Sequence, residues 1–295
     1  MPITNLLGVH ALVWTAAADS ASIDAACRST AAVGYDLLEV PLLEPAEVDP
    51  VATRASLGAA GITASCSLGL DFDTDISSTD AGTVERGARL LIDALEVTSR
   101  LGADYLGGPI YSAMGKYTRP ATTRGRANAV RVLRELASEA ATSGVTIGLE
   151  PVNRYESNVL NTVDQALALI DEIGADNLVV HLDTYHANIE ERAIVRAVHT
   201  AATAGRLGYV HVGESHRGHL GTGSIVWEPV FAALGESDYR GPIVFESFSS
   251  AVVSPAFAAA LGVWRDLWTD SHELAGHAHD YLTRHLTADV VGGAE

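Results

Sequence analysis

Basic residues are scarce in this sequence. Its 295 residues include 19 lysines and arginines against 37 aspartates and glutamates, which gives a formal net charge of −18. A surface with this excess of negative charge repels the phosphate backbone of nucleic acids and the headgroups of anionic membranes. We therefore expect neither a nucleic-acid partner nor a membrane partner.

Cysteines and long apolar segments are also few. The two cysteines, Cys27 and Cys66, cannot build a disulfide framework or a cysteine-rich zinc site, and so low a number suits a reducing compartment. No apolar run approaches the roughly 20 residues that a membrane-spanning helix requires. Residues 1–5 lack the basic region of a secretory signal. We expect a cytoplasmic protein.

Apolar residues make up 47% of the chain, which is enough for a large core. Short apolar or β-branched segments alternate with helical patterns that often end at glycine, without an intervening linker. This alternation predicts an α/β fold, a (β/α)8 TIM barrel, with residues 1–295 in a single domain. One helix is predicted over about 188–203, and a C-terminal helical extension over about 255–290, where Trp264 and Trp268 would share an apolar face.

Four consecutive predicted strands end on a residue that can bind a metal ion. The strand at 145–149 ends at Glu150, and the next three end at Asp183, His211 and Glu246. These ends are about 30 residues apart, the length of one strand-plus-helix unit in a barrel of about 250 residues. Because a barrel gathers the carboxyl ends of its strands around one axis, the four side chains are expected to meet.

A cluster of three carboxylates at one rim repels itself unless a cation or protons compensate the charge. Oxygen ligands with a single imidazole suit Mn²⁺, with Mg²⁺ and Co²⁺ as alternatives, whereas zinc more often takes sites rich in histidine or cysteine. The sequence therefore predicts one bound divalent cation.

Other polar residues follow the same strands. Glu156, His186 and Arg217 lie in the loops after three of the metal-binding positions, so each can reach a substrate held at the cation. Glu39 places a further carboxylate at the rim, and His10 is expected either to line the pocket or to lie in the core. The long loop at 111–120 is either a lid or a surface excursion.

Four segments carry a resemblance to a known family. Residues 150–156, 181–191, 211–217 and 245–248 resemble the ketose 3-epimerases, which include the tagatose, allulose (psicose) and L-ribulose 3-epimerases with a xylose-isomerase-like TIM barrel. The likeness covers essentially the whole chain. Within the family, the glycine-rich stretch 217–224 is more similar to the L-ribulose type than to the tagatose type.

The resemblance implies roles for individual residues. Glu150, Asp183, His211 and Glu246 would bind the metal, and the two glutamates would also act as the acid and the base. The residues that would hold the first three oxygens of the sugar are Glu156, His186 and Arg217. Those that would line the pocket for the rest of the sugar are Trp14, Cys66 and Phe248. The family also favours a homodimer or a homotetramer.

Epimerisation next to a ketone requires a carbon acid to lose its proton and to regain one on the opposite face, through an enediolate. A divalent cation stabilises the negative charge, and two carboxylates from different strands can serve the two faces. No glycine loop that would cradle a phosphate precedes a helix. We therefore expect a free ketose, a small molecule, as the substrate.

Three alternatives stay open at this point. An aldose–ketose isomerase would use a similar barrel and metal but would move a hydrogen between C1 and C2. An abasic-site endonuclease shares the architecture, but it would need a basic face and more histidine ligands than this sequence offers. A sugar-binding barrel without catalysis is the third, and it would have little use for both Glu150 and Glu246 beside a metal.

Overall fold

A computed structural model describes residues 5–287 of the chain. Its eight strands are parallel and form a closed barrel in chain order, in which β8 pairs with β1 through Leu7 and Ile243. The strands are β1 Leu7–His10, β2 Leu37–Pro41, β3 Thr63–Ser67, β4 Tyr105–Gly108, β5 Thr146–Leu149, β6 Leu178–Asp183, β7 Leu207–Val212 and β8 Ile243–Phe245. The predicted (β/α)8 fold is confirmed.

In the described part of the chain, ten α-helices surround or cap the barrel. They are α1 Ser20–Val33, α2 Pro50–Ala60, α3 Ala81–Leu101, α4 Thr123–Thr142, α5 Val163–Ile173, α6 Thr184–Glu190, α7 Ile194–Thr203, α8 Trp227–Glu236, α9 Pro255–Leu261 and α10 Ser271–Thr287. Local signals in the sequence set several boundaries. Asp19 caps the start of α1, Gly34 ends it in a left-handed conformation, and Thr162 begins α5 with a capping box.

Eight of these helices form the outer ring, in the order α1, α2, α3, α4, α5, α7, α8 and α10. α10 packs between α8 and α1 and closes the ring, so much of the C-terminal extension predicted at about 255–290 is the eighth barrel helix. Residues 288–290 lie outside the described residues. Within residues 5–287, no helix combines the length and the apolarity that crossing a bilayer requires.

The single helix predicted over 188–203 is wrong, because the structure has two helices there. α6 ends at Glu190, Glu191 is extended, and α7 begins at Ile194. The two glutamates bind to residues outside the segment 188–203. Glu190 accepts hydrogen bonds from Arg154, and the carboxylate of Glu191 accepts one from the backbone N–H of Val163 at the start of α5.

The prediction that Trp264 and Trp268 share a helix face is wrong. Both lie in the connection between α9 and α10, where Trp268 is 5% exposed and Trp264 is 77% exposed. Trp268 packs into the main core, and its indole N–H donates to Ser247 Oγ. The periodicity of four therefore does not indicate helix here.

Aromatic side chains fill the middle of the barrel. The rings of Tyr105 and Tyr209 stack with their centroids 4.2 Å apart, in a cluster that includes Leu37 and Val244. Gly148 on β5 leaves room for this stack, because a Cβ atom there would lie 1.8 Å from the hydroxyl oxygen of Tyr105. The barrel is thus a packed core below its carboxyl-terminal rim.

Candidate active site

The four predicted ligands meet at the carboxyl-terminal rim. Glu150 follows β5, Asp183 ends β6, His211 lies near the end of β7 and Glu246 follows β8. The Nδ1 atom of His211 lies 3.5 Å from Glu246 Oε1, 3.7 Å from Glu150 Oε1 and 3.7 Å from Asp183 Oδ2. None of the four side chains is more than 10% exposed. The four residues that were singled out by the spacing of the strands in the sequence therefore lie together in the structure.

This geometry fits a divalent cation. The distances from His211 Nδ1 are too long for hydrogen bonds, yet atoms that each lie about 2.0–2.2 Å from one ion are separated by about 3–3.6 Å. Within residues 5–287, neither His211 Nδ1 nor Asp183 Oδ2 has a hydrogen-bond partner. Asp183, His211 and Glu246 offer ligand atoms close enough to hold one ion. Two buried polar atoms without hydrogen-bond partners, facing each other in one cluster, are what a shared cation would satisfy.

Burial and mutual repulsion perturb the ionisation of the cluster. Burial raises the pKa of Glu150 to about 7 and that of Glu246 to about 8, and it raises the pKa of Asp183. Burial opposes the charged form of His211, but the carboxylates of Glu39 and Glu246 outweigh it and raise its pKa well above the usual value. Without a cation, the site therefore retains protons in its place.

Three further predicted residues face the same space. Arg217 donates from Nη1 to Glu246 Oε2 at 3.0 Å, and its Nη2 lies 3.8 Å from Glu156 Oε1. The Nε2 atom of His186 lies 3.9 Å from Glu150 Oε1 and 3.8 Å from Glu156 Oε2. Acidic and basic groups therefore alternate around the place where a substrate would lie.

Asn153 orients two of these residues and was not singled out from the sequence. Its backbone N–H donates to His186 Nδ1 at 3.1 Å, and its side-chain amide donates to Glu156 Oε1 at 2.9 Å. Burial lowers the pKa of His186 well below its usual value, so the ring is neutral. Because the backbone N–H of Asn153 can only donate, we infer that Nδ1 is unprotonated and that the proton is on Nε2, which lies 3.3 Å from Arg217 Nη2. The only signal for Asn153 was its place inside the 150–156 motif.

The loop after β7 holds Arg217 in an unusual backbone conformation. Its φ of 59° lies in the left-handed region, which non-glycine residues rarely adopt. The buried carboxylate of Glu214 pins the loop by accepting from Trp227 Nε1 at 2.9 Å and from the backbone N–H of Gly221 at 2.9 Å. Ser247 Oγ also donates to the carbonyl of Arg217. These bonds stabilise the conformation that aims the guanidinium at Glu246.

Above the charged floor, the mouth of the cavity is apolar. The guanidinium carbon of Arg217 lies 4.7 Å from the ring centroid of Phe248, a predicted pocket residue that does line the cavity. The other apolar side chains at the mouth include Leu12, Leu43, Leu68, Met114, Phe257 and Leu261. Met114 belongs to the loop predicted at 111–120, so this loop contributes to the mouth, and its action as a lid stays a prediction.

Two predicted pocket residues lie elsewhere. Side chains alternate along β3, and Ser67 faces the cavity, so Cys66 points outward to the helix layer beside Thr98 of α3. Trp14 donates from Nε1 to Thr30 Oγ1 at 3.0 Å and packs against α1 instead of lining the cavity. Neither residue is among those that line the cavity.

Two residues from β1 and β2 complete the floor. Glu39 is fully buried, and its Oε2 atom lies 2.7 Å from His211 Nε2. His10 lines the cavity, its Nδ1 accepts from the backbone N–H of Leu12, and its Nε2 lies 3.5 Å from Glu39 Oε1. Of the two positions expected for His10, the structure has the one in the pocket wall.

Comparisons with known proteins agree with this arrangement. A family model described as xylose isomerase-like TIM barrel matches residues 27–283. The chain is 47% identical over 282 residues to a ketose 3-epimerase of Arthrobacter globiformis, covering 96% of this chain and 97% of that protein. It is 47% identical over 275 residues to an L-ribulose 3-epimerase of Methylomonas sp., covering 93% of this chain and 96% of the relative.

A solved structure gives the same result. The crystal structure of a D-allulose 3-epimerase from Methylomonas sp. in complex with D-allulose superposes with a TM-score of 0.93 at 46% identity, covering 96% of this chain and 98% of that one. Sequence and fold agree over nearly the whole length of both proteins. The chain belongs to the xylose isomerase-like TIM barrel family and, within it, to the ketose 3-epimerases.

Proposed function

We propose that this protein is a metal-dependent ketose 3-epimerase that removes the C3 proton of a free ketose and returns a proton to the opposite face of the same carbon. The observation that carries the proposal is the pair of buried glutamates, Glu150 and Glu246, which come from different strands and flank one cation-sized cluster. Their raised pKa values, about 7 and about 8, lie where one group can be protonated while the other is ionised.

Glu150, Asp183, His211 and Glu246 would hold the cation. When bound, a divalent cation acts as a Lewis acid that stabilises negative charge on the oxygens of the sugar, an effect of several kcal/mol. We propose Mn²⁺ as the ion, with Mg²⁺ and Co²⁺ as alternatives, because three carboxylates and one imidazole form a donor set rich in hard oxygens.

The two glutamates divide the proton transfer between them. One carboxylate abstracts the C3 proton, and the other, in its protonated form, donates to the opposite face, so the reverse reaction exchanges their roles. Arg217 donates to Glu246 at 3.0 Å and therefore holds that carboxylate in a fixed orientation. Burial raises the pKa of Glu246, and the positive charges of His211 and Arg217 partly oppose this by favouring its ionised form.

Glu156, His186 and Arg217 would bind the first oxygens of the sugar. His186 presents an N–H donor, because Asn153 occupies its other nitrogen. Arg217 stays charged, since the carboxylates of Glu246 and Glu156 raise its pKa against the effect of burial. Fixed donors in a site shielded from water stabilise the negative charge of an enediolate without reorganising during the reaction.

The substrate is proposed to be a free ketohexose or ketopentose. Within the described part of the chain, Arg217 is the one arginine or lysine that lines the cavity, and the mouth is apolar. A phosphate group would need several cationic or backbone donors there. The relatives bear the names of allulose and L-ribulose epimerases, so the pairs allulose and fructose, tagatose and sorbose, and ribulose and xylulose are the substrates to test.

One experiment separates this proposal from its alternatives. Metal-free protein would be incubated with a panel of ketoses in deuterated water, with Mn²⁺ or with EDTA, and the products would be identified by NMR. A 3-epimerase converts fructose to allulose and places deuterium at C3 in the Mn²⁺ samples. Formation of glucose or mannose would instead indicate an aldose–ketose isomerase, and an unchanged sugar would indicate a binding protein.

We also propose that the protein is a cytoplasmic homodimer or homotetramer. Trp264 and Val226 are large apolar side chains with exposures of 77% and 67%, which an oligomer interface would cover. Light scattering after size-exclusion chromatography would give the subunit number, and a monomer at micromolar concentration would refute the oligomer. Cell fractionation would test the location.

A further inference from the structure

Glu39 stands apart from the proposed chemistry, yet it touches one of the proposed ligands directly. It lies on β2, across the barrel from β7, and its side chain has no exposure to solvent. Its Oε2 atom accepts two hydrogen bonds, from His211 Nε2 at 2.7 Å and from the hydroxyl of Tyr209 at 2.7 Å. Burying a carboxylate costs free energy unless hydrogen bonds replace its lost hydration. The bonds from His211 and Tyr209 are therefore what allow Glu39 to remain in the core.

The contact with Glu39 decides which nitrogen of His211 carries the proton. An ionised carboxylate only accepts hydrogen bonds, so the 2.7 Å contact requires the hydrogen on Nε2. A neutral imidazole then has its lone pair on Nδ1, the atom that lies 3.5–3.7 Å from Glu150, Asp183 and Glu246. The same contact also fixes the ring plane, because Nε2 and Nδ1 lie on opposite sides of the imidazole.

The surroundings of Glu39 hold it in turn. Tyr209 also bonds Ser65 Oγ at 2.6 Å, so its hydroxyl group is fixed between two partners. His10 Nδ1 accepts from the backbone N–H of Leu12, so its proton is on Nε2, which lies 3.4 Å from Ser67 Oγ and 3.5 Å from Glu39 Oε1. Within residues 5–287, Glu39 Oε1 has no hydrogen-bond partner, and the carboxylate cannot rotate away from His211 without breaking both hydrogen bonds at Oε2.

We propose that Glu39 is a positioning residue that fixes the tautomer and orientation of His211 and strengthens Nδ1 as a metal ligand. The inference rests on the metal site of the proposed function. It adds to the three carboxylates and the histidine of the metal site one further carboxylate, Glu39, that does not touch the cation. A carboxylate behind a histidine ligand raises the basicity of that ligand, and its loss typically weakens metal binding by about 10–100-fold.

The test measures Mn²⁺ binding to metal-free protein by electron paramagnetic resonance, without any sugar. Glu39→Gln keeps the shape and an acceptor oxygen but removes the negative charge, and we expect its Mn²⁺ affinity to fall by about 10–100-fold. Glu39→Asp keeps the charge but withdraws the carboxylate from His211, and we expect a similar loss. The second variant also serves if the first one does not fold.

Tyr105→Phe is the matched control. Tyr105 stacks on Tyr209 in the same layer of the barrel, but its hydroxyl has no hydrogen-bond partner within residues 5–287, and the bonds to Glu39 Oε2 come from His211 and Tyr209. The variant alters this layer and leaves the bond between Glu39 and His211 in place, so we expect its Mn²⁺ affinity to stay within about threefold of the wild type, well short of the loss expected for the Glu39 variants. With Co²⁺, the visible spectrum should change in the Glu39 variants and persist in Tyr105→Phe, since only the former alter the ligand field.

The outcomes distinguish failure of the metal site from failure of the positioning role of Glu39. If wild-type protein binds no Mn²⁺, the metal site itself is refuted. If wild-type protein binds Mn²⁺ and both Glu39 variants bind it equally well, the positioning role is refuted while the metal site stands. If Tyr105→Phe loses as much affinity as Glu39→Gln, the effect comes from general loss of barrel packing, and the positioning role is again refuted.

Discussion

The guanidinium of Arg217 lies 3.0 Å from the carboxylate of Glu246, although 29 residues separate them in the chain. Arg217 also stacks over the ring of Tyr185, 4.0 Å from its centroid. A planar, charged group held in this way can orient a catalytic carboxylate and still face the substrate. We therefore expect substitutions of Arg217 to lower the catalytic rate.

Replacing Arg217 with lysine should lower kcat by about 100-fold, since losing one oriented donor near developing negative charge has effects of about 10²–10³ in kcat. Lysine keeps the charge but not the planar fork. Arg154→Lys is the matched control, because Arg154 also pairs with a glutamate but lies on the surface. Steady-state kinetics with a ketose substrate would measure both. Equal activity of the two variants would contradict the orienting role.

The ionisation of the two catalytic glutamates predicts how stability depends on pH. Their pKa values rise from 4.5 to about 7 for Glu150 and about 8 for Glu246 on folding. Folded protein therefore holds protons that unfolded protein has released, and stability falls as the pH rises through this window. His10 and His186, whose pKa values are lowered, change their contribution below about pH 6.5, whereas His211, whose pKa is raised, adds to the fall above it.

We expect the melting temperature of metal-free protein to fall by on the order of 4 °C between pH 6.5 and pH 8.5. Scanning calorimetry in EDTA would measure it. Saturating Mn²⁺ should abolish the fall, because the cation compensates the ionised carboxylates, and Glu246→Gln should reduce it without metal. A melting temperature that rises over this range would contradict the prediction.

Trp268 supports Arg217 through two consecutive hydrogen bonds. Its indole N–H donates to Ser247 Oγ at 2.7 Å, and Ser247 donates to the carbonyl of Arg217. Trp268→Phe removes this support from a residue with a φ of 59°, so we expect KM to rise about tenfold and kcat to fall less. The control is Trp264→Phe, which alters an exposed side chain and should leave both parameters unchanged. Identical kinetics for the two variants would refute the link.

The glycine beneath the active site predicts a difference in stability. A Cβ at position 148 would lie 1.8 Å from the hydroxyl of Tyr105, whose ring is stacked on Tyr209 and cannot withdraw. Gly148→Ala should destabilise the protein by about 1–3 kcal/mol. At Gly58 in α2, nothing lies within 4 Å of the added carbon, so Gly58→Ala should instead stabilise by up to about 1 kcal/mol. Urea unfolding of both variants would test the contrast.

The barrel and its metal cluster could be predicted from the sequence because their signals are local and repeated. Glu150 and its three counterparts each end an apolar strand, and parallel strands in a barrel bring their ends together whatever the loops do. The break between α6 and α7 could not be predicted this way. It depends on Arg154 and Val163, which lie far from Glu190 and Glu191 in the chain.

The roles of the residues that orient the site could not be predicted from the sequence either. Glu39 was visible as a carboxylate at the rim, but its bond to His211 spans the barrel, and no spacing rule connects β2 with β7. Cys66 is the converse case. The family resemblance suggested a place in the pocket, whereas the alternation of side chains along β3 directs its neighbour Ser67 there and turns the thiol outward.

The stacked rings of Tyr105 and Tyr209 fill the barrel's centre below the site. Residues at the carboxyl-terminal rim line the cavity, so a sugar and its epimer, which differ only in configuration at one carbon, would enter and leave from that side. The ratio of the two sugars at equilibrium is set by their own free energies, and the protein governs only how quickly that ratio is reached.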